Sequence, residues 1–275
     1  MSVLVTIVIT LAGFVTLGAL PAAATGSGTV QYVALGDSYA AGQAAGSFPN
    51  CLQGTEGYPE LLDSEQGIHL RANPTCSGAT TSSVANTQLS ALNRGTRLVT
   101  LTVGAANLHL SDLLTVCTTR PLPDCLLAIQ NVRDNLLPTL DSELTDLYPK
   151  VAVAAPRARI VVTGYPHLFE LTADVHPAII IGVNTAIDEL NAAIRQAVSD
   201  TNDADVNIHY VDVVAEFAGH GIVTPITDPS AFIHSLFLIN GQPDPQAFHP
   251  TPAGYRAYAD AISVALPGGW LKQLV

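Results

Sequence analysis

The sequence predicts an α/β fold: a three-layer αβα sandwich around a parallel, flavodoxin-like sheet of about five strands. Short β-branched runs alternate with long helical stretches along most of the chain, the pattern of strands joined by crossover helices. Several of the runs are apolar almost without interruption, which suits strands covered on both faces. No internal repeat and no linker rich in Gly, Pro or Ser marks a second domain.

The elements follow in order. Residues 30–35 (VQYVAL) read as the first strand, and 67–72 (GIHLRA) as a further short one. Residues 97–103 (RLVTLTV), 159–163 (RIVVT) and 206–213 (VNIHYVDV) supply the others. Helical stretches are expected at 125–153, 178–200 and 252–265. Residues 219–248 form the longest irregular stretch, carrying several Pro, Gly and Asp residues, and an irregular stretch of that length in a compact fold is usually functional.

Composition narrows the function. At 48% hydrophobic and 12% charged residues, the chain has the apolar material for a sizeable core. A net charge of −12 leaves no basic patch for phosphates, so nucleic acid is not an expected partner. Residues 3–20 are almost wholly apolar and are followed by Pro21, Ala22, Ala23 and Ala24. That order suits an export signal cleaved near residue 24, with a single domain over 25–275. No Lys or Arg precedes Arg71, and the stretch approaches membrane-spanning length, so a retained anchor is the alternative. Either route places the domain outside the cytoplasm or at the cell envelope.

Cys51, Cys76, Cys117 and Cys125 make an even count, which in an exported chain reads as two disulfides. Three pairings are formally open, and pairing of sequence neighbours is the simplest. Each bridge is worth about 2.5–3.5 kcal/mol of loop-closure entropy. No Cys-x-x-Cys spacing and no ligand-like His spacing occurs, so neither a metal nor a cofactor is expected.

Two segments carry chemistry. Gly36-Asp37-Ser38-Tyr39-Ala40-Ala41-Gly42 follows the first strand directly, and its small residues let the chain turn sharply to present Ser38. Ala40 stands where a Gly-x-Ser-x-Gly elbow needs its last glycine, which counts against an α/β-hydrolase. Near the other end, Phe248-His249-Pro250-Thr251-Pro252 leads a loop into the last helical stretch. An imidazole there can reach the same strand-end surface, where ligands bind in such sheets, and it is the usual base for a serine hydroxyl.

As an ordered set these segments resemble the GDSL or SGNH hydrolase family, particularly its secreted actinobacterial esterases and lipases, over residues 30 to about 265. The resemblance implies Ser38 as nucleophile and His249 as base. It also implies the Ser38 amide and Gly78, in Cys76-Ser77-Gly78-Ala79, as oxyanion donors. Asp37 then supports the turn and lies outside the catalytic set.

Two departures stand out. Where the family carries Gly-x-Asn-Asp, this chain reads Gly104-Ala105-Ala106-Asn107. Either the loop shifts to aim Asn107 inward or the third donor is missing. Where the family places an Asp three residues before the His, this chain has Gln246, and the nearest carboxylate is Asp244. Either Asp244 reaches the imidazole or a backbone carbonyl near Gln246 accepts its N–H. Tyr165-Pro166-His167 follows a strand at the active edge, where it could line an acyl pocket or make a plain turn.

The expected activity is hydrolysis of small-molecule or lipid carboxylic esters by a monomer. A carbohydrate O-deacetylase or a phospholipase is compatible with the same site. The two departures also leave room for a degenerate member that binds a ligand without turning it over.

Overall fold

The computed structural model describes residue 1 and residues 29–46, 50–65, 67–202, 206–224, 228–235, 238–239 and 242–266. The expected export signal or anchor at 1–24 lies outside the described residues apart from Met1. Among the described residues no helix is long and apolar enough to cross a membrane.

Five strands form one sheet: β1 (Val30–Gly36), β2 (Ile68–Ala72), β3 (Leu98–Thr102), β4 (Arg159–Thr163) and β5 (Ile208–Val211). Every neighbouring pair is parallel, and the order is β2-β1-β3-β4-β5. The three-layer α/β fold expected from the sequence is the one observed. The central strands β1, β3 and β4 are buried almost throughout, whereas edge strand β2 alternates between buried and open positions. Covered strands lose the alternation that marks a half-exposed sheet.

The sheet is not purely apolar. Thr100, Thr102 and Thr163 are buried in it, and each hydroxyl is paired. Tyr32 Oη lies 2.7 Å from Thr100 Oγ1, Tyr58 Oη 2.9 Å from Thr102 Oγ1, and Thr102 Oγ1 2.5 Å from Thr163 Oγ1. Pairing offsets the cost of burying these hydroxyls and leaves the β-branched residues free to favour the strand.

Helix α1 (Tyr58–Asp63), the short α7 (Val214–Phe217) and α8 (Pro252–Ala265) cover one part of the sheet. The one-turn α2 (Thr81–Ser83), α3 (Leu110–Thr119), α4 (Leu122–Asn131), α5 (Leu137–Ala154) and α6 (Pro177–Asn202) form the other helical group, in which α5 and α6 pack along each other. The helical stretch expected at 125–153 is two helices joined by a π turn over Val132–Leu136. Pro138 near the start of α5 has no N–H, and its ring crowds the carbonyl four residues back, so the ladder widens there. Helices α1 and α3 have no counterpart in the sequence reading. Helix α3 (LSDLLTVCTT) is rich in β-branched residues, which weakens its helical signal, and its pairing with α4 holds it in place.

Both disulfides join sequence neighbours. Cys51–Cys76 ties the segment after β1 to the segment after β2, and Cys117–Cys125 staples α3 to α4. The irregular stretch at 219–248 contains the antiparallel pair β6 (Leu238–Ile239) and β7 (Gln242–Pro243), and an isolated bridge joins Ile233 to Pro250.

The carboxyl end of β1 positions everything that follows. Gly36 has φ +130°, and a Cβ added there would lie 2.1 Å from the Thr102 carbonyl oxygen of β3. Its amide donates to Gln88 Oε1 at 2.7 Å, while its carbonyl accepts from Gln88 Nε2 at 2.9 Å. Gln88 is 1% exposed, so this closed pair of bonds is shielded from water. A Gly36→Ala substitution is expected to lower stability by at least about 2 kcal/mol, from positive φ and the clash together. Urea denaturation measures it, and a change under about 0.5 kcal/mol would show that the turn can relax.

Candidate active site

Ser38 sits in the first turn after β1. The Asp37 amide donates to Thr102 O at 2.9 Å, and Ala41 N donates to Asp37 O at 2.8 Å. Asp37 is 1% exposed. Its Oδ1 accepts from Tyr39 N at 3.0 Å and its Oδ2 from Tyr165 Oη at 2.5 Å. Burial pushes its carboxyl up to about 7, against the lowering effect of those bonds. Both carboxyl oxygens are thus engaged in holding the turn.

His249 reaches Ser38 from the far end of the chain. Its Nε2 lies 2.9 Å from Ser38 Oγ, and its Nδ1 lies 3.0 Å from Ala247 O. A carbonyl only accepts, so Nδ1 carries the proton and Nε2 presents its lone pair to the hydroxyl. Burial pulls the imidazole down to about 4, only partly opposed by the Ala247 and Gln246 carbonyls. The ring is aimed by its predecessor: Phe248 has φ +63°, an uncommon conformation for an aromatic residue. Bonds on both sides of Phe248 hold it there. Its N donates to His234 O at 2.8 Å, and its O accepts from Tyr39 Oη at 2.6 Å.

Asp244 does not touch the imidazole. Its Oδ1 accepts from Gln246 N at 2.8 Å, closing a turn that carries the chain toward His249. The Gln246 carbonyl accepts from His249 N at 3.1 Å. Of the two routes open in the sequence, the carbonyl contact is the one present, and its source is Ala247. Side-chain identity says nothing about which carbonyl a loop will turn inward, so the sequence could not single it out.

Gly78 follows the Cys51–Cys76 bridge. Its φ is +75°, and a Cβ added there would meet nothing within 4 Å, because the space above it is the cavity. Among the described residues, the N–H groups of Ser38 and Gly78 donate to no protein acceptor. Asn107 is turned elsewhere. Its Oδ1 accepts from Thr81 N at 3.1 Å, and its Nδ2 donates to Thr81 Oγ1 at 2.8 Å and to Glu143 Oε2. Ala105 and Ala106, not Asn107, face the cavity.

That cavity measures about 270 Å³. Ser38, Gly78 and His249 line it, together with the apolar side chains of Leu110 and Leu114 of α3, Leu168, Ile187 and Phe248. Tyr165 also lines it, with Pro166, while His167 is engaged with Asp188 at 2.7 Å. The wall from α3 escaped sequence reasoning because the helix itself did. Among the described residues no group of three His, Cys, Asp or Glu side chains is placed to hold a metal.

A half-buried serine–imidazole contact beside two free amides at a strand end can support acyl transfer, and comparison with known proteins agrees. The model of the GDSL-like lipase/acylhydrolase family matches residues 34–257. The chain belongs to that family. A lipase of Streptomyces rimosus is 33% identical over 232 residues, covering 81% of each chain. Lipase 1 of Streptomyces coelicolor is 31% identical over 243 residues, covering 86% of this chain and 84% of its own. Among solved structures, phospholipase A1 of Streptomyces albidoflavus NA297 superposes with a TM-score of 0.77 at 30% identity, covering 86% of this chain and 99% of its own. As a family member the protein is an ester hydrolase of the esterase/lipase type.

NMR titration of the His249 ring is expected to give a midpoint near pH 4, with the Nδ1–H tautomer above it. A midpoint near the ordinary value of about 6.5 would mean that water reaches the imidazole.

Proposed function

We propose that the protein is a secreted serine esterase or lipase that cleaves carboxylic esters through an acyl-enzyme on Ser38. One observation carries this reading: the 2.9 Å contact between Ser38 Oγ and the lone-pair nitrogen of His249, in a cavity lined with apolar side chains. His249 Nε2 takes the hydroxyl proton as Ser38 Oγ attacks the ester carbonyl. The Ser38 and Gly78 amides receive the oxyanion. Collapse of the tetrahedral intermediate breaks the bond to the alcohol oxygen, which leaves with the proton from His249. Water then loses a proton to His249 as it attacks the acyl carbon, and collapse of the second tetrahedral intermediate breaks the bond to Ser38 Oγ, which recovers that proton as the acid is freed. Each amide donor contributes about 2.7–4 kcal/mol to the transition state.

The Ala247 carbonyl takes the place of the acid in a triad. It fixes tautomer and ring direction, but it cannot stabilise the imidazolium as a carboxylate does. Asp244 and Asn107 act through loop structure in this reading. Residues 1–24 serve export, residues 25–275 form one catalytic domain that acts as a monomer, and no cofactor takes part. Cell-envelope association through the N-terminal segment remains an alternative to release, and the acidic chain has no role with nucleic acid.

Phospholipids are a second substrate class. The similarity to a phospholipase A1 and the apolar wall of α3 both favour acyl chains over the acetyl group of a sugar ester.

The test is covalent labelling. A fluorophosphonate is expected to label Ser38, and Ser38→Ala to abolish labelling and lower kcat by at least about 10³-fold. Chromogenic esters of increasing acyl length, a phospholipid and an acetylated sugar then rank the substrates. A folded protein that resists the label would sink the hydrolase reading and leave ligand binding without turnover. Asp244→Asn keeps the acceptor for Gln246 N and is expected to leave kcat/KM within about threefold. Loss of a triad acid costs about 10⁴-fold, so a drop of that size would return Asp244 to the catalytic set.

A further inference from the structure

We propose that Gln43 is a positioning residue that holds the oxyanion loop and the histidine loop in register with the nucleophile turn. The inference rests on the Ser38–His249 reading above. Gln43 lies five residues after Ser38, is 6% exposed and lines the same cavity.

Four hydrogen bonds converge on it. Its N donates to Ser38 O at 3.1 Å, anchoring it to the nucleophile turn. Its O accepts from Tyr255 Oη at 2.8 Å, on the helix that follows His249. Its Nε2 donates to Pro245 O at 2.5 Å, in the loop that carries the Ala247 carbonyl and His249. Its Oε1 accepts from Ser77 Oγ at 2.6 Å, next to the free amide of Gly78.

The chemistry makes Gln specific here. The Pro245 carbonyl can only accept, so the NH₂ end must face it and the oxygen end must face Ser77. The Ser77 hydroxyl is then obliged to donate. One planar amide thus bridges the two loops to each other, each of which has its own bond to the region of the nucleophile turn: Tyr39 Oη donates to Phe248 O at 2.6 Å, and Cys76 N donates to Gly36 O at 3.1 Å. A carboxylate of the same shape would set oxygen against oxygen at Pro245 and put a negative charge in the cavity with His249. An apolar side chain of similar length would keep the packing and lose both bonds.

Catalysis depends on distances of this kind, since a displacement of about 1 Å in a catalytic constellation can cost about 10²-fold in rate. Three variants of the full protein test the role: Gln43→Met, Gln43→Glu and Ser77→Ala, each checked for folding by circular dichroism and melting temperature. The readouts are kcat and KM on a chromogenic ester, the rate of fluorophosphonate labelling, and the pH profile of kcat/KM. Gln43→Met is expected to lower kcat and the labelling rate together by about 10–100-fold, with KM within about threefold. Gln43→Glu should add an upward shift of the acidic limb by about one pH unit, because the new carboxylate favours the imidazolium. Ser77→Ala releases only the Gly78 side and should cost about 3–10-fold.

A folded Gln43→Met protein with kcat and labelling within twofold of the parent, even one of lower melting temperature, overturns the proposal. If Gln43→Met fails to fold, Gln43→Glu and Ser77→Ala decide it on the same readouts, and parental kcat in both overturns it. Failure of the underlying esterase reading is separate, because it would appear as an unlabelled and inactive parent protein.

Discussion

A buried imidazole with no carboxylate at hand must remain neutral, and the site is organised around that constraint. His249 is largely desolvated, and its Nδ1–H has a peptide carbonyl as partner. Desolvation favours the uncharged base before substrate arrives, and a carbonyl dipole fixes the tautomer without adding charge. In the acyl-enzyme mechanism proposed above, the cost comes later, when the ring must carry a proton in surroundings that resist it. An Asp in the usual place would ease that stage and would bury a second charge. This chain resolves the balance with backbone, and the left-handed Phe248 before the histidine aims the ring.

The same preference for neutral hydrogen bonds runs through the carboxyl edge of the sheet. Threonine and tyrosine hydroxyls pair across β1, β3 and β4, and Gln88 closes on both polar atoms of Gly36. Buried amides and hydroxyls of this kind are stabilising only when fully paired, so they select one arrangement of loops. The one carboxylate among them, Asp37, takes bonds from Tyr39 N and Tyr165 Oη and binds the nucleophile turn to β4's exit.

Much of this was legible in the sequence because it is written in periodicity. Strands buried on both faces betray themselves as apolar runs, and all five were readable, as were the long helices α6 and α8. The turn at Ser38 and the loop before α8 were marked by Gly, Pro and small residues at strand and helix boundaries. Helix α3 was not readable, since its threonines and its capture by α4 depend on tertiary contact. Backbone contacts were harder to read: the family resemblance pointed to the Gly78 amide, but nothing in the sequence could say that the carbonyl facing the imidazole belongs to Ala247. The departures at Ala106 and Gln246 were visible as questions, and only geometry could say where Asn107 and Asp244 turn. Gln43 carries no pattern at all, and its meaning lies in three partners distant in sequence.

The two ends of the reacting pair also differ in when they come into being. The Cys117–Cys125 staple spans eight positions, so the corner that carries the cavity wall can close from local chain alone. His249, by contrast, enters 211 positions after the serine it serves. The cavity wall is likewise divided, with Leu110 and Leu114 on the stapled corner and Phe248 on the final loop. The contact between the two side chains therefore depends on the docking of the last loop and α8, whereas the α3–α4 corner depends on neighbours in sequence.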